Sequence, residues 1–374
     1  MKDVIIIGGG LGGLSLSIQL QRKGMSCVLL EQKTYPFHRV CGEYISYEAW
    51  PFLTSLGVDP DQYQLPKINK LRVSSNNGDV LEKTMPQGGR GISRYFLDNL
   101  LYEIALKEGV DVRTSCKVNA VYQEITGWEV HTTSGNIKGR TVVGAFGKRS
   151  SLDKFFERNY LKKNLSNSRL KNFVGVKYHL EGDFPNDVIE LHNYSGGYCG
   201  ISKVENDKIC MCYLSRGQNL KKVRTLKEME SAYLSKNPFL RKYLEFDRAW
   251  DKPVSIAKID FSSKNLIESN IPMIGDAAGL IAPLCGNGMS MSLQSSVMLA
   301  DLLLDYLNDN LSWDELVEHY KSEWKKTFGK RLFIGRSIQK VFGEEYSTSI
   351  MINLLKRMPK VTDKLISSTH GEIF

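Results

Sequence analysis

Gly8, Gly10 and Gly13 stand directly after the apolar run of residues 4–7 and open the helical periodicity of residues 14–22. Glycine suits that junction because Gly8 allows a tight turn, Gly10 lets a pyrophosphate approach the backbone, and Gly13 lets helix and strand pack closely. Leu11 and Gly12 complete the turn, and the amide N–H groups at the helix start then face phosphate oxygens. Glu31 follows Gly13 by 18 residues, just after the next apolar run at 27–30. A carboxylate there accepts both ribose hydroxyl protons and repels a 2′-phosphate. This is the pattern of a dinucleotide site that prefers FAD or NAD over NADP.

A second constellation lies about 260 residues further on: Met273-Ile274-Gly275-Asp276-Ala277-Ala278-Gly279, then Pro283-Leu284-Cys285-Gly286-Asn287-Gly288-Met289. Here the sequence resembles the flavoprotein superfamily that contains the geranylgeranyl reductases and the aromatic hydroxylases, the class A flavoprotein monooxygenases. The resemblance implies FAD, with Asp276 (after Gly275) accepting a hydrogen bond from the ribityl chain and Gly286, Gly288 and Met289 beside the flavin's pyrimidine edge. A helix starting near Gly288 would aim its positive end at N1 and O2, worth ~1 kcal/mol in a partly buried site.

Gly91-Ile92-Ser93-Arg94 resembles the family's arginine-led helix and implies that Arg94 lies near the FAD. Phe37-His38-Arg39-Val40-Cys41-Gly42-Glu43 resembles the reductases' Cys-Gly motif, which adds Arg39, Cys41 and Gly42 to the expected cofactor contacts. Cys41 either packs or acts in turnover. The hydroxylases' Asp-Gly motif appears as Ala145-Phe146-Gly147-Lys148-Arg149-Ser150, so Gly147 is kept while Phe146 takes the place of the acid. The reductases' Tyr-x-Trp-x-Phe-Pro motif survives only as Tyr198 in Gly197-Tyr198-Cys199-Gly200-Ile201-Ser202, and the halogenases' tryptophan-rich motif is missing.

These matches imply an FAD-dependent oxidoreductase acting on a hydrophobic small molecule, isoprenoid, lipid-like or aromatic, with C=C reduction preferred. The alternative is hydroxylation of an aromatic or polyketide-type substrate with NAD(P)H and O2. A more distant one is a prenyl or lipid carrier without redox chemistry. With no second glycine fingerprint, electrons come from transiently bound NAD(P)H or a redox partner. Cys41 and Tyr198 are the catalytic candidates, and His38, Tyr44 and Glu205 are further groups able to move a proton.

The elements that position these residues read as an α/β chain. A βαβ unit opens it, a helix at 95–107 follows, and strands are expected at 110–113, 118–124, 128–132 and 141–145. Residues 173–213 alternate in strand fashion with polar breaks, the pattern of an antiparallel sheet. The fold expected is a doubly wound, Rossmann-like FAD-binding domain from 1–70, 85–163 and 264–310. It carries an inserted antiparallel-sheet substrate domain from 71–84 and 164–263, and a helical C-terminal region at 311–374.

Composition bounds the rest. With 42% hydrophobic and 24% charged residues the chain has the makings of a folded enzyme rather than a disordered segment. Seven cysteines, odd in number and without CxxC pairs, point to a reducing compartment and no metal. Residues 4–20 break at glycines and lack the basic stretch of an export signal, so the expected location is cytoplasmic. The net charge of +9 comes without a nucleic-acid motif. Seven Lys/Arg against one acid at 321–340, interleaved with aromatics, read either as a solvated helix face or as a peripheral membrane contact.

Overall fold

In the computed structural model, residues 1–162, 172–281, 286–341 and 343–374 are described, so Pro283-Leu284-Cys285 lies outside them. The N-terminal apolar run becomes β1 (Lys2–Ile7), whose last four residues are buried as befits a strand covered on both faces. Helix α1 (Leu11–Arg22) follows and buries Leu14, Leu16, Ile18 and Leu20. Parallel to β1 run β2 (Cys27–Leu30) on one side and β9 (Gly135–Gly144) on the other. With β6 (Asp111–Arg113), β7 (Val118–Glu124) and β8 (Gly127–Thr132) they form a six-stranded sheet in the order β6-β2-β1-β9-β8-β7. Its parallel half carries the cofactor motifs, and β7 and β8 close it as an antiparallel flank.

The second sheet has nine strands. Its antiparallel centre is β10 (Phe173–Glu181), β11 (Val188–Tyr194), β12 (Gly197–Lys203) and β13 (Ile209–Arg216), the segments whose alternation the sequence displays. It reaches further than expected at one edge. There β3 (Tyr44–Ser46), β4 (Lys67–Ser74) and β5 (Val80–Gly91) join it, so the boundary at 71–84 is too narrow. The polar residues of β4 and β5 hide the pattern, because that edge of the sheet is half open to solvent. At the other edge β14 (Asp247–Arg248) and β15 (Val254–Ile259) pair with β10.

Four helices complete the chain: α3 (Gly288–Leu307), α4 (Trp313–Val341), α5 (Glu345–Arg357) and α6 (Pro359–Ser367), while α2 (Arg94–Lys107) packs beside α1. Ser15 and Ser296 meet through their hydroxyls at 2.7 Å, small side chains that bring α1 and α3 close together. The basic stretch 321–340 lies in α4. Trp324, Phe328 and Leu332 recur at every fourth position and are buried in the main core, leaving Phe333 as the exposed large apolar residue there. The tyrosine one turn earlier, Tyr320, donates its hydroxyl to the Met273 carbonyl at 2.7 Å and so braces the Gly275-Asp276 turn.

Candidate functional site

At the phosphate end, glycine is needed for steric reasons. A Cβ on Gly8, whose φ is +110°, would sit 2.4 Å from the Ala145 carbonyl oxygen, and one on Gly13 would sit 2.0 Å from the Gly8 carbonyl oxygen. Gly10 differs. The nearest atom to its Cβ position is an Arg94 guanidinium nitrogen at 3.6 Å, so its approach is open and faces a cation. No side chain caps α1 and no acid occupies its first turn, which leaves its amide N–H groups for an anion. Glu31 is buried beside this turn; it accepts from the Gly9 and Lys33 amides and from Arg39, each at 3.0 Å. Asp98, fully buried, holds both Arg39 and Arg94. The set fits an adenosine diphosphate, with cations and amides at the phosphates and a carboxylate at the ribose.

The second motif arrives at the same place through α3. Strand pairing leads Met273 alongside Gly144, and a turn at Gly275 (φ +59°) follows. Cβ atoms on Gly12 and Gly275 would lie 2.9 Å and 2.6 Å from the same Ser292 hydroxyl, so the two fingerprints converge on one serine of α3. Asp276 is half-buried, and among the described residues no hydrogen-bond donor meets its carboxylate. Buried Asn287, at the N-cap of α3, has neither its amide nitrogen nor its oxygen partnered among the described residues. An acceptor and an unsatisfied amide suit a ribityl hydroxyl and a pyrimidine edge. Gly286 (φ +68°), Gly288 and Met289 flank that amide, with Gly288 starting α3. Asp276→Ala is expected to raise the FAD dissociation constant roughly tenfold, for the loss of about 1.5 kcal/mol of hydrogen bonding. Fluorescence titration of the apoprotein measures it, and unchanged affinity would remove Asp276 from the site.

Lys264 lies beneath this turn, donating to the Asp276 and Lys148 carbonyl oxygens. Burial pulls its ammonium down to about 8, against the opposing charge of Asp153. Fully buried Arg158 donates to the Ala277 carbonyl and pairs with Asp153 and Glu268. Neither residue carries a signal in the sequence, because each acts on backbone more than a hundred or a dozen residues away.

Around the Cys-Gly motif the structure reveals a buried ionic cluster. Glu43 accepts from Lys177 and from His179, each at 2.5 Å, and from the Arg94 amide at 2.8 Å. Burial alone would raise the Glu43 carboxyl; Lys177 and His179 outweigh it and hold it at about 2. Cys210 joins Glu43 and His179 in a group with metal-ligand geometry, and the Lys177 ammonium is paired with the same Glu43 carboxylate. His38 is stacked between Tyr95 and Trp250, and burial, then Lys177, push it down to about 4. Cys41 is half-buried, its carbonyl accepting from the Cys210 thiol. The Cβ directions of Gly42 and Gly147 meet no protein atom within 4 Å.

The proton-moving candidates separate in space. Glu205 caps the start of α2 by accepting from the Ser93 amide and hydroxyl, which gives it a structural task. Tyr198 is buried among Leu214, Phe261 and Ile352. Tyr44 instead lines a cavity of about 130 Å³ that reaches Gly286, walled by β4, β5, β11 and the C-terminal helices. Leu71, Met85, Ile189, Leu355 and Ile366 make it almost wholly apolar. Burial and the Glu48 carboxylate push the Tyr44 phenol above its ordinary range, so it stays protonated.

Fold and site define a flavoprotein that carries a second, largely antiparallel sheet beside its dinucleotide sheet in the same chain. Residues 1–175 match the FAD binding domain family. The chain is 24% identical to conditioned medium factor receptor 1 of Dictyostelium discoideum, over 98% of this chain and 73% of that one. It is 20% identical to digeranylgeranylglycerophospholipid reductase of Methanococcus vannielii, over 88% of this chain and 84% of that one. Among solved structures, a triple mutant of the flavin-dependent brominase Bmp2 superposes with a TM-score of 0.79 at 15% identity, covering 99% of this chain and 96% of the other. The N-terminal segment is thus an FAD-binding domain, and the protein is an FAD-dependent oxidoreductase. No described helix is long and apolar enough to cross a membrane.

Proposed function

We propose that the enzyme reduces a C=C bond in a hydrophobic, isoprenoid-like molecule. The observation that carries this reading is the apolar cavity that meets the flavin-edge loop at Tyr44 and Gly286. Its aliphatic walls offer few hydrogen-bonding groups, mainly at Thr362, Thr369 and His370, so they select for a hydrocarbon chain rather than a polar ring. The name of the Methanococcus relative, a reductase of a geranylgeranyl lipid, supports the same substrate class. Phe146, half-buried where the hydroxylases place an acid, supports reduction over hydroxylation.

FAD, when bound, supplies the hydride, with electrons drawn from NAD(P)H or a redox partner. The chain's own residues do the rest. Gly10, Glu31, Arg94, Asp276 and Asn287 hold the cofactor, the aliphatic walls exclude water, and Tyr44 keeps a proton on its phenol oxygen. Among the described residues that hydroxyl donates to the Met85 sulfur at 4.0 Å, a weak acceptor from which the proton is readily passed to the substrate carbon. Tyr44→Phe is expected to lower kcat roughly 100-fold with flavin occupancy and KM little changed. An unaltered kcat would move the proton source elsewhere.

A further inference from the structure

Helices α5 and α6 are apolar on two faces. Met351, Ile352, Leu355 and Ile366 line the cavity, while Ile350, Leu354 and Val361 are 69%, 55% and 47% exposed on the other side. Ile350 and Leu354 are four residues apart and so stand one turn above another on α5. A helix buried on one face ordinarily turns polar residues outward; here the outward face is aliphatic and its border is cationic. Arg357, Lys360 and Lys364 are exposed beside these side chains, and the only acid between 350 and 364, Asp363, is already paired with Lys83 at 2.9 Å.

We propose that the outer face of α5 and α6 docks on an anionic lipid surface, with the aliphatic side chains in the acyl boundary and the cations among the headgroups. Charge complementarity selects this occupant: a second copy of the chain would bring the same positive border against itself, whereas an anionic bilayer neutralises it. The location adds to the argument, because the two helices that would lie on the bilayer also wall the cavity. A lipid substrate could then enter between them without crossing water. This last step rests on the reduction reading above; the docking itself does not.

The test uses the full-length, flavin-loaded protein and vesicles without substrate. Wild type is expected to co-sediment with vesicles rich in phosphatidylglycerol and to remain in the supernatant with pure phosphatidylcholine. Arg357→Glu/Lys360→Glu is expected to weaken binding roughly tenfold or more, from two reversed charges near the surface. Leu354→Ser is expected to weaken it as well, while turnover of detergent-dispersed substrate is unchanged, since Leu354 faces away from the cavity. Wild-type protein that ignores both vesicle types overturns the proposal. So does sedimentation velocity showing a dimer that Leu354→Ser dissociates, which would assign the face to a second copy. Vesicle binding that persists when no alkene is reduced would instead retire the reduction reading and leave the docking face standing.

Discussion

Gly10→Val is expected to give a folded, colourless protein. Gly10 is the N-cap of α1 with φ −88°, a conformation open to any residue, and its Cβ direction meets only the flexible end of Arg94. The apoprotein therefore loses about 1 kcal/mol, the usual cost of an aliphatic N-cap. A branched side chain there nevertheless fills the space through which the pyrophosphate must reach the amides. Losing two charge-assisted hydrogen bonds weakens FAD roughly 100-fold or more. Gly13→Ala is the contrast, because its Cβ would strike the Gly8 carbonyl oxygen at 2.0 Å and disturb the strand–helix packing itself. Flavin absorbance after dialysis, together with thermal unfolding of both variants, separates the two effects. Full occupancy in a folded Gly10→Val protein would overturn the placement of the phosphates.

Lys177→Met is expected to cost 3–5 kcal/mol, roughly, in urea unfolding, since it leaves the Glu43 carboxylate buried beside His179 without its ammonium. Lys177→Met/Glu43→Gln is expected to recover much of that loss, because it removes the charge together with its partner. The pH dependence follows from the depressed Glu43 carboxyl. Its folded value of about 2 lies below the ordinary 4.5, so the unfolded chain binds the proton first. The cluster's contribution is complete above pH 4.5 and is lost as pH falls from there toward 2. His38 acts in the same sense in an earlier window. Held at about 4 against an ordinary 6.5, it costs stability as pH falls from 6.5 to 4. Lys177→Met should weaken the acid dependence below pH 4.5; an unchanged acid profile would mean that Glu43 is not held by Lys177.

The sequence displays what repeats locally and conceals what is assembled across distance. The βαβ unit is legible because β1, the glycine turn and α1 each have a period and a boundary, and the Gly275-Asp276 turn because its residues are adjacent. Ser292, on which both fingerprints rest, gives no such sign: its role is to be small at the crossing of α1 and α3. Glu43 and Lys177 are separated by 134 residues, so no spacing rule joins them. One signal was available. Lys177 and His179 share a face of a strand whose first eight residues are all buried, and a cation in such a strand must find an acid. The basic stretch of α4 is ambiguous in sequence for a related reason, since aromatic residues at every fourth position form a core stripe as readily as a lipid-facing one. The exposed apolar face lies one helix later, on α5 and α6, where the cations are fewer.

Alkene reduction is tested by the fate of the electrons in the absence of oxygen. The flavin-loaded enzyme is reduced with dithionite under anaerobic conditions, polyprenyl lipids are added, and reoxidation is followed by absorbance while product mass is recorded; the run is repeated with labelled oxygen. Anaerobic reoxidation coupled to a product heavier by two hydrogens is the expected result. Absence of anaerobic turnover, with one labelled oxygen atom appearing in the product when oxygen is admitted, would contradict it and make the enzyme a hydroxylase on the same cofactor site.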